Sequence, residues 1–99
     1  MLTELEKQIV LAVSALGEGE VVTYGEIARR AGRPNAPRAV GRVLSKGLYD
    51  LPWWRVVRAD GTLLKSHLGR QTQMLKEEGV EVRNGRVIKA AVGCFSKPS

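Results

Sequence analysis

Ninety-nine residues provide for one domain around one core and leave no room for a catalytic module beside a binding module. Sixteen Lys and Arg against ten Asp and Glu give a net charge of +6, which on so small a domain points to a polyanionic partner, phosphate first, the alternative being a solvated basic surface with no partner. One cysteine, Cys94, excludes an internal disulfide, and a single His67 without a cysteine pair offers no zinc spacing, so neither metal nor cofactor is expected.

The chain opens with a capping-box pattern, Thr3 to Glu6, followed by Leu5, Ile9, Val10, Val13 and Leu16 at helical spacing, which predicts an amphipathic helix ending at Gly17. After Val21-Val22 a second Thr-x-x-Glu, Thr23 to Glu26, starts a short helix through Arg30 or Ala31 that Gly32 stops. In the turn that follows, Asn35 can cap and Pro37 can occupy the first turn of a third helix, Arg38 to about Lys46, closed by Gly47. Two short helices on a Gly/Pro turn make a helix-turn-helix with the second as recognition element. The clustering of Arg29, Arg30, Arg33, Arg38, Arg42 and Lys46 favours that reading over an ordinary αα-hairpin.

On the third helix Arg38, Arg42 and Ser45 share a face, while Val40, Val43 and Leu44 can turn inward. Gly41 costs such a helix about 1 kcal/mol against Ala. Its reason is either close approach of the backbone to a bulky partner or tight packing on the protein's own core.

Further on, Pro52 stiffens the entry to a short strand that carries Trp53, Trp54 and Arg55 into Val56-Val57. At least one of the two tryptophans is expected in the core, with the other ring facing solvent or a ligand. Ala59 to Thr62 predicts a hairpin turn before Leu63-Leu64, and Leu68 to Glu78 a helix closed by Gly79. Val80 to Lys89 reads as a hairpin around Asn84-Gly85. Its Arg83, Arg86 and Lys89 suit either a phosphate-touching wing or plain solvated charge. The fold class is mainly α with small β elements. Residues 1–93 are expected to form the single domain and 94–99 a flexible tail. With no apolar run of membrane-spanning length and no signal-peptide pattern, the protein is expected to be a cytoplasmic monomer with no membrane partner.

Pro52-Trp53-Trp54-Arg55-Val56-Val57 resembles the Pro-Cys-His-Arg-Val-Val motif of the O6-alkylguanine-DNA alkyltransferases, with Trp53 where the nucleophilic cysteine stands and Trp54 at its histidine. Val22 to Ala28 is similar to that family's entry to its first DNA-binding helix, Arg38 to Gly41 to its arginine-finger helix, and Glu77 to Val80 to a late helix end. The order of these blocks is also the family's. The tryptophan makes the chain most similar to the alkyltransferase-like branch, which binds alkylated DNA without repairing it.

The resemblance implies a winged helix-turn-helix-like domain corresponding to the C-terminal part of the transferases. Its partner would be double-stranded DNA carrying O6-alkylguanine, whose base is flipped out for inspection. Binding would block transferase repair or pass the lesion to nucleotide excision repair proteins. Arg38 would fill the vacated stack and Tyr24 would crowd the phosphate 3′ to the flipped nucleotide. Ala39 and Gly41 would let the helix backbone near the sugars, with Arg42 and Lys46 on phosphate. Trp53 would line the lesion pocket beside Trp54, Val57, Lys65, Ser66 and His67. Neither indole attacks carbon or takes a proton, so no catalytic residue is expected, and Glu78, the match to the relay glutamate, has no histidine to orient. The interval from Arg38 to Trp53 is shorter than in the transferases, and Ser45 or Gly47 takes the place of their hinge asparagine. The competing reading is a helix-turn-helix DNA-binding protein with no lesion specificity, its tryptophans only core.

Overall fold

The computed structural model describes residues 2–47 and 50–97. Helix α1 (Glu4–Ser14) carries the full capping box: Thr3 Oγ1 accepts from the Glu6 N–H and Glu6 accepts from the Thr3 N–H. It stops at Ala15, short of Gly17, and the buried Leu16 then turns back into the core. Strand β1 (Glu20–Thr23) leads into α2 (Tyr24–Arg30). Here only half a capping box forms: Thr23 accepts from the Glu26 N–H, but the Glu26 carboxylate goes to Arg29 and Arg30 instead. Helix α3 (Pro37–Ser45) begins with Pro37 as expected, yet its cap residue is Ala36 and Asn35 caps nothing.

The tryptophans do not stand on a strand. Trp53–Arg55 is one turn of 3-10 helix, and only Val56–Val57 forms strand β2. The turn is fixed from outside: the fully buried Gln71 donates from Nε2 to the Trp54 and Val56 carbonyls while its Oε1 accepts from the Leu64 N–H. Gln71 lies on α4 (Leu68–Glu77), preceded by a second 3-10 turn, Lys65–His67. Gly79, at φ +81°, ends α4 in a Schellman arrangement, with the Val80 and Gly79 N–H groups reaching the Leu75 and Lys76 carbonyls. Strands β3 (Glu81–Arg83) and β4 (Arg86–Lys89) then form the hairpin, Asn84 and Gly85 both at positive φ as a type I′ turn requires. The segment Ala59–Thr62 is a turn but joins no hairpin, because Thr62 bridges Arg86 instead.

The last strand, β5 (Val92–Gly93), pairs in parallel with β1, which pairs in parallel with β2 on its other side. This corrects the expected flexible tail: the Cys94 N–H donates to the Val21 carbonyl and Phe95 packs on the core. Of that tail, residues 98 and 99 lie outside the described residues. Gly93 permits the pairing, since a Cβ there would stand 2.3 Å from the Val21 oxygen.

The three short parallel strands divide two cores by their period-2 alternation. Val22 and Val56 face Ile9, Val13, Ile27, Val40 and Val43 of the helical half. Val21 and Val57 face Leu63, Leu75, Val80 and Val87 of the other half. The tryptophan turn sits where the two halves meet.

Candidate nucleic-acid interface and base cavity

Helix α3 separates its residues as its sequence predicts, with one exception. Arg38 and Arg42 are exposed on one face, and Val40 and Val43 are buried on the other. The exception is Ala39, only 6% exposed and packed with the core, which corrects its placement against DNA. Gly41 is different: a Cβ there would meet nothing within 4 Å, so its absence of side chain does not serve the protein's own packing. Gly41→Ala is therefore expected to raise stability by up to about 1 kcal/mol through helix propensity alone. A thermal melt checks this, and a lower Tm would mean the backbone cannot accept a side chain.

The basic cluster is partly neutralised from within. Glu26 pairs with Arg29 at 2.6 Å and with Arg30 at 2.8 Å, and Lys46 reaches Glu6 at 2.6 Å. These contacts hold both carboxyls down at about 2, the Lys46 hydrogen bond leading for Glu6 and that of Arg29 for Glu26. Lys46, expected on DNA phosphate, thus stands at the end of α3 in a surface ion pair with its side chain still 46% exposed. Among the described residues, Arg33, Arg38 and Arg42 belong to no ion pair, and they carry the unspent charge of the helix-turn-helix. On the hairpin, Arg83 pairs with Glu81 and Arg86 donates to the Asp60 carbonyl, so two of its three basic groups are already engaged.

Beside α3 opens a cavity of about 530 Å³, lined by Tyr24, Gly41, Leu44, Ser45, Gly47, Trp53, Leu64, Ser66, His67 and Arg70. A volume of this size suits a small molecule or a single base. Tyr24 is half-buried at the start of α2, and burial pushes its phenol above the usual range against the opposing charge of Arg58. Trp53 forms a wall, its ring tilted on His67 at 5.3 Å between centroids and edge-on to Trp54 at 6.1 Å. Of the other pocket residues expected from sequence, Ser66 lines the cavity, whereas Lys65, Trp54 and Val57 do not. Val57 is fully buried because its strand position points it into the second core. Arg70 and Leu64 also line the cavity, without a sequence pattern that points to them. Arg70 enters through the packing of α4 against the tryptophan turn, which no local pattern announces.

Trp54 instead belongs to a polar knot behind the cavity wall. Its indole N–H donates to Glu78 Oε2 at 2.8 Å. Arg55 grips the same carboxylate with both Nε and Nη2, donates from Nη1 to the Leu16 carbonyl, and lies 5.2 Å over the Trp54 ring. The Gly19 N–H completes the set on Glu78 Oε1. Burial pushes the Glu78 carboxyl up, but Arg55, Gly19 and Trp54 together bring it below the usual carboxylate range. Glu78 therefore has partners to orient: an indole and a guanidinium. Among the described residues no group of His, Cys, Asp and Glu is placed to hold a metal. Cys94 is exposed and is not among the cavity-lining residues.

Residues 4–80 match the family model described as 6-O-methylguanine DNA methyltransferase, DNA binding domain. The chain is similar to the DNA base-flipping protein of Vibrio parahaemolyticus, 44% identical over an alignment of 80 residues that covers 76% of this chain and 79% of that one. It is also similar to alkyltransferase-like protein 1 of Schizosaccharomyces pombe, 40% identical over 86 residues, 80% of this chain and 79% of that one. Among solved structures, S. pombe Atl1 in complex with damaged DNA containing O6-carboxymethylguanine superimposes with a TM-score of 0.75 at 37% identity, over 84% of this chain and 83% of that one.

Proposed function

The chain belongs to the 6-O-methylguanine DNA methyltransferase DNA-binding-domain family, as an alkyltransferase-like protein, and from that premise we propose that it binds double-stranded DNA carrying O6-alkylguanine, flips the base into the cavity beside Trp53 and transfers no alkyl group. The observation that carries this is the juxtaposition of an exposed Arg38/Arg42 face, a side-chain-free Gly41 and a base-sized cavity on the same helix. Unstacking a guanine costs a few kcal/mol. In this reading Arg38 offsets part of that cost by entering the stack, Tyr24 crowds the neighbouring phosphate, and the Trp53 ring gives the alkyl group a flat apolar wall. With Trp53 and Trp54 at the motif positions of nucleophile and base, the bound lesion stays intact. The same occupancy would shield it from a transferase and mark it for nucleotide excision repair.

The test is affinity for one duplex with and without a single O6-methylguanine. Tighter binding to the lesion is expected; equal affinities would leave a helix-turn-helix protein without lesion specificity. Three unpaired arginines predict a fall of log K with log salt at a slope of roughly −2.7, from about −0.9 per phosphate. Arg42→Ala should weaken both duplexes alike, Lys46→Ala less so because Glu6 already holds it. Arg38→Ala should lose more discrimination than either, and Arg38→Lys should not restore it, since an ammonium keeps the charge without the planar surface. Unchanged 2-aminopurine fluorescence at the target would reject flipping.

A further inference from the structure

Strands β1 and β2 run parallel with Thr23 opposite Val57, so Tyr24 and Arg58 leave the sheet side by side at its carboxyl end. The alternation that turns Val57 into the second core sends Arg58 the other way, towards the helical half against which Tyr24 packs. The two side chains are close enough for the positive charge of Arg58 to be felt by the Tyr24 phenol. Arg58 is exposed, lies outside the cavity lining and, among the described residues, takes part in no ion pair. The acids on the neighbouring elements are committed elsewhere: Asp60, on the same turn, accepts the Thr62 N–H, and Glu26 of α2 holds Arg29 and Arg30. The backbone beneath the guanidinium is fixed, since the Arg58 N–H donates to the Thr62 carbonyl at 3.1 Å and the Arg58 carbonyl accepts from the Gly61 N–H at 2.8 Å. A phenol hydroxyl beside an unneutralised guanidinium on a rigid base matches the oxygens of one phosphodiester.

We propose that Tyr24 and Arg58 form a site for a single phosphate of the lesion-bearing strand, the one 3′ to the flipped nucleotide, and that Arg58 neutralises it as the base enters the cavity. The inference rests on the lesion-binding reading above, in which Tyr24 crowds this phosphate, and adds a cation that does not belong to the helix-turn-helix. Flipping turns the nucleotide about its backbone and brings the flanking phosphate against the phenol, which strips it of water at a cost. The guanidinium offsets that cost with charge-assisted hydrogen bonds. Its contribution therefore falls on the flipped state more than on an undistorted duplex.

Four duplexes of one sequence test this, with O6-methylguanine or guanine at the target and either an ordinary phosphodiester or an uncharged methylphosphonate as its 3′ linkage. On the lesion duplex the wild-type chain is expected to lose about tenfold in affinity when that one charge is removed, the scale of one charge-assisted hydrogen bond. Arg58→Gln, with Tm unchanged, should show the same loss on the ordinary linkage and little more on the methylphosphonate, and Arg58→Lys should recover part of it. On the plain-guanine duplex, where no nucleotide is turned out, Arg58→Gln should change affinity much less. A wild-type chain indifferent to the methylphosphonate, while still preferring the lesion, overturns the proposal. So does an Arg58→Gln chain that keeps the full methylphosphonate penalty, which would assign that phosphate to another residue. A lesion duplex bound no tighter than plain guanine would instead overturn lesion recognition itself, and with it the register this site requires.

Discussion

Glu78→Gln is expected to cost about 2–4 kcal/mol of folding free energy, a little under the roughly 3–5 kcal/mol of a fully buried ion pair that loses one partner because both side chains keep some exposure, and to lower Tm by roughly 15 °C for a domain of this size. The Glu78 and Arg55 side chains are only 9% and 14% exposed. A glutamine amide keeps one acceptor but turns an NH2 toward donors, leaving the guanidinium without its counter-charge. The knot also joins three distant pieces of chain, the end of α1 through Leu16, the loop at Gly19 and the tryptophan turn. Its loss therefore loosens the wall on which Trp53 stands.

The same carboxylate sets a pH dependence. Its value in the folded state lies below the ordinary 4.5, so its contribution is complete above that pH and is lost as acid brings the pH down through the lowered value. Glu6 and Glu26, both held at about 2, extend the window downward. Melting curves followed by circular dichroism should show Tm of the wild type falling from about pH 4.5 towards 2, with Glu78→Gln starting lower and falling less steeply. A Gln variant as stable as wild type near neutrality would show that the knot is ornamental to the fold.

The helices and the hairpin were legible because their signals are local. Thr3 and Glu6 cap each other within one turn, Gly79 closes α4 two residues after its last helical residue, and Asn84-Gly85 needs no partner to favour its turn. The tryptophan stretch departs from the strand its sequence predicts because its conformation is imposed by Gln71, whose amide takes the Trp54 and Val56 carbonyls from 17 and 15 residues away. Strand β5 is only Val92–Gly93, too short for a period, and its pairing partner is β1 at the other end of the chain. The pairing within the charge cluster depends on the fold in a similar way. Lys46 counts as free in sequence, and only the fold brings Glu6 to it across 40 positions. Of the candidate site, the α3 face and Trp53 could be read from the chain itself, whereas Arg70 could not, since its place in the cavity depends on how α4 docks.

A thiol at position 53 has an ordinary pKa of about 8.5 and needs a base to become a nucleophile; Trp54, an indole whose N–H is already donated to Glu78, cannot serve. Trp53→Cys alone is therefore expected to transfer no alkyl group. In Trp53→Cys/Trp54→His the imidazole would inherit the partner of the indole. With one ring N–H held on Glu78 Oε2, the other nitrogen is left to face position 53, the arrangement in which a carboxylate orients a base. Sulfur would then displace the O6 oxygen from the methyl carbon, forming the S–C bond as the C–O bond breaks and returning guanine. Arg55 limits the gain, because its two hydrogen bonds already draw on the charge of Glu78 and weaken its hold on an imidazole. The double variant is expected to label slowly but measurably with methyl from O6-methylguanine DNA, at residue 53 by mass spectrometry, while wild type and the single variant stay unlabelled. Label on the wild-type chain, at Cys94 for instance, would falsify the non-enzymatic reading. A folded, lesion-binding double variant that stays unlabelled would show that Arg55 and the short approach from α3 have carried this pocket too far from a transferase for two substitutions to restore.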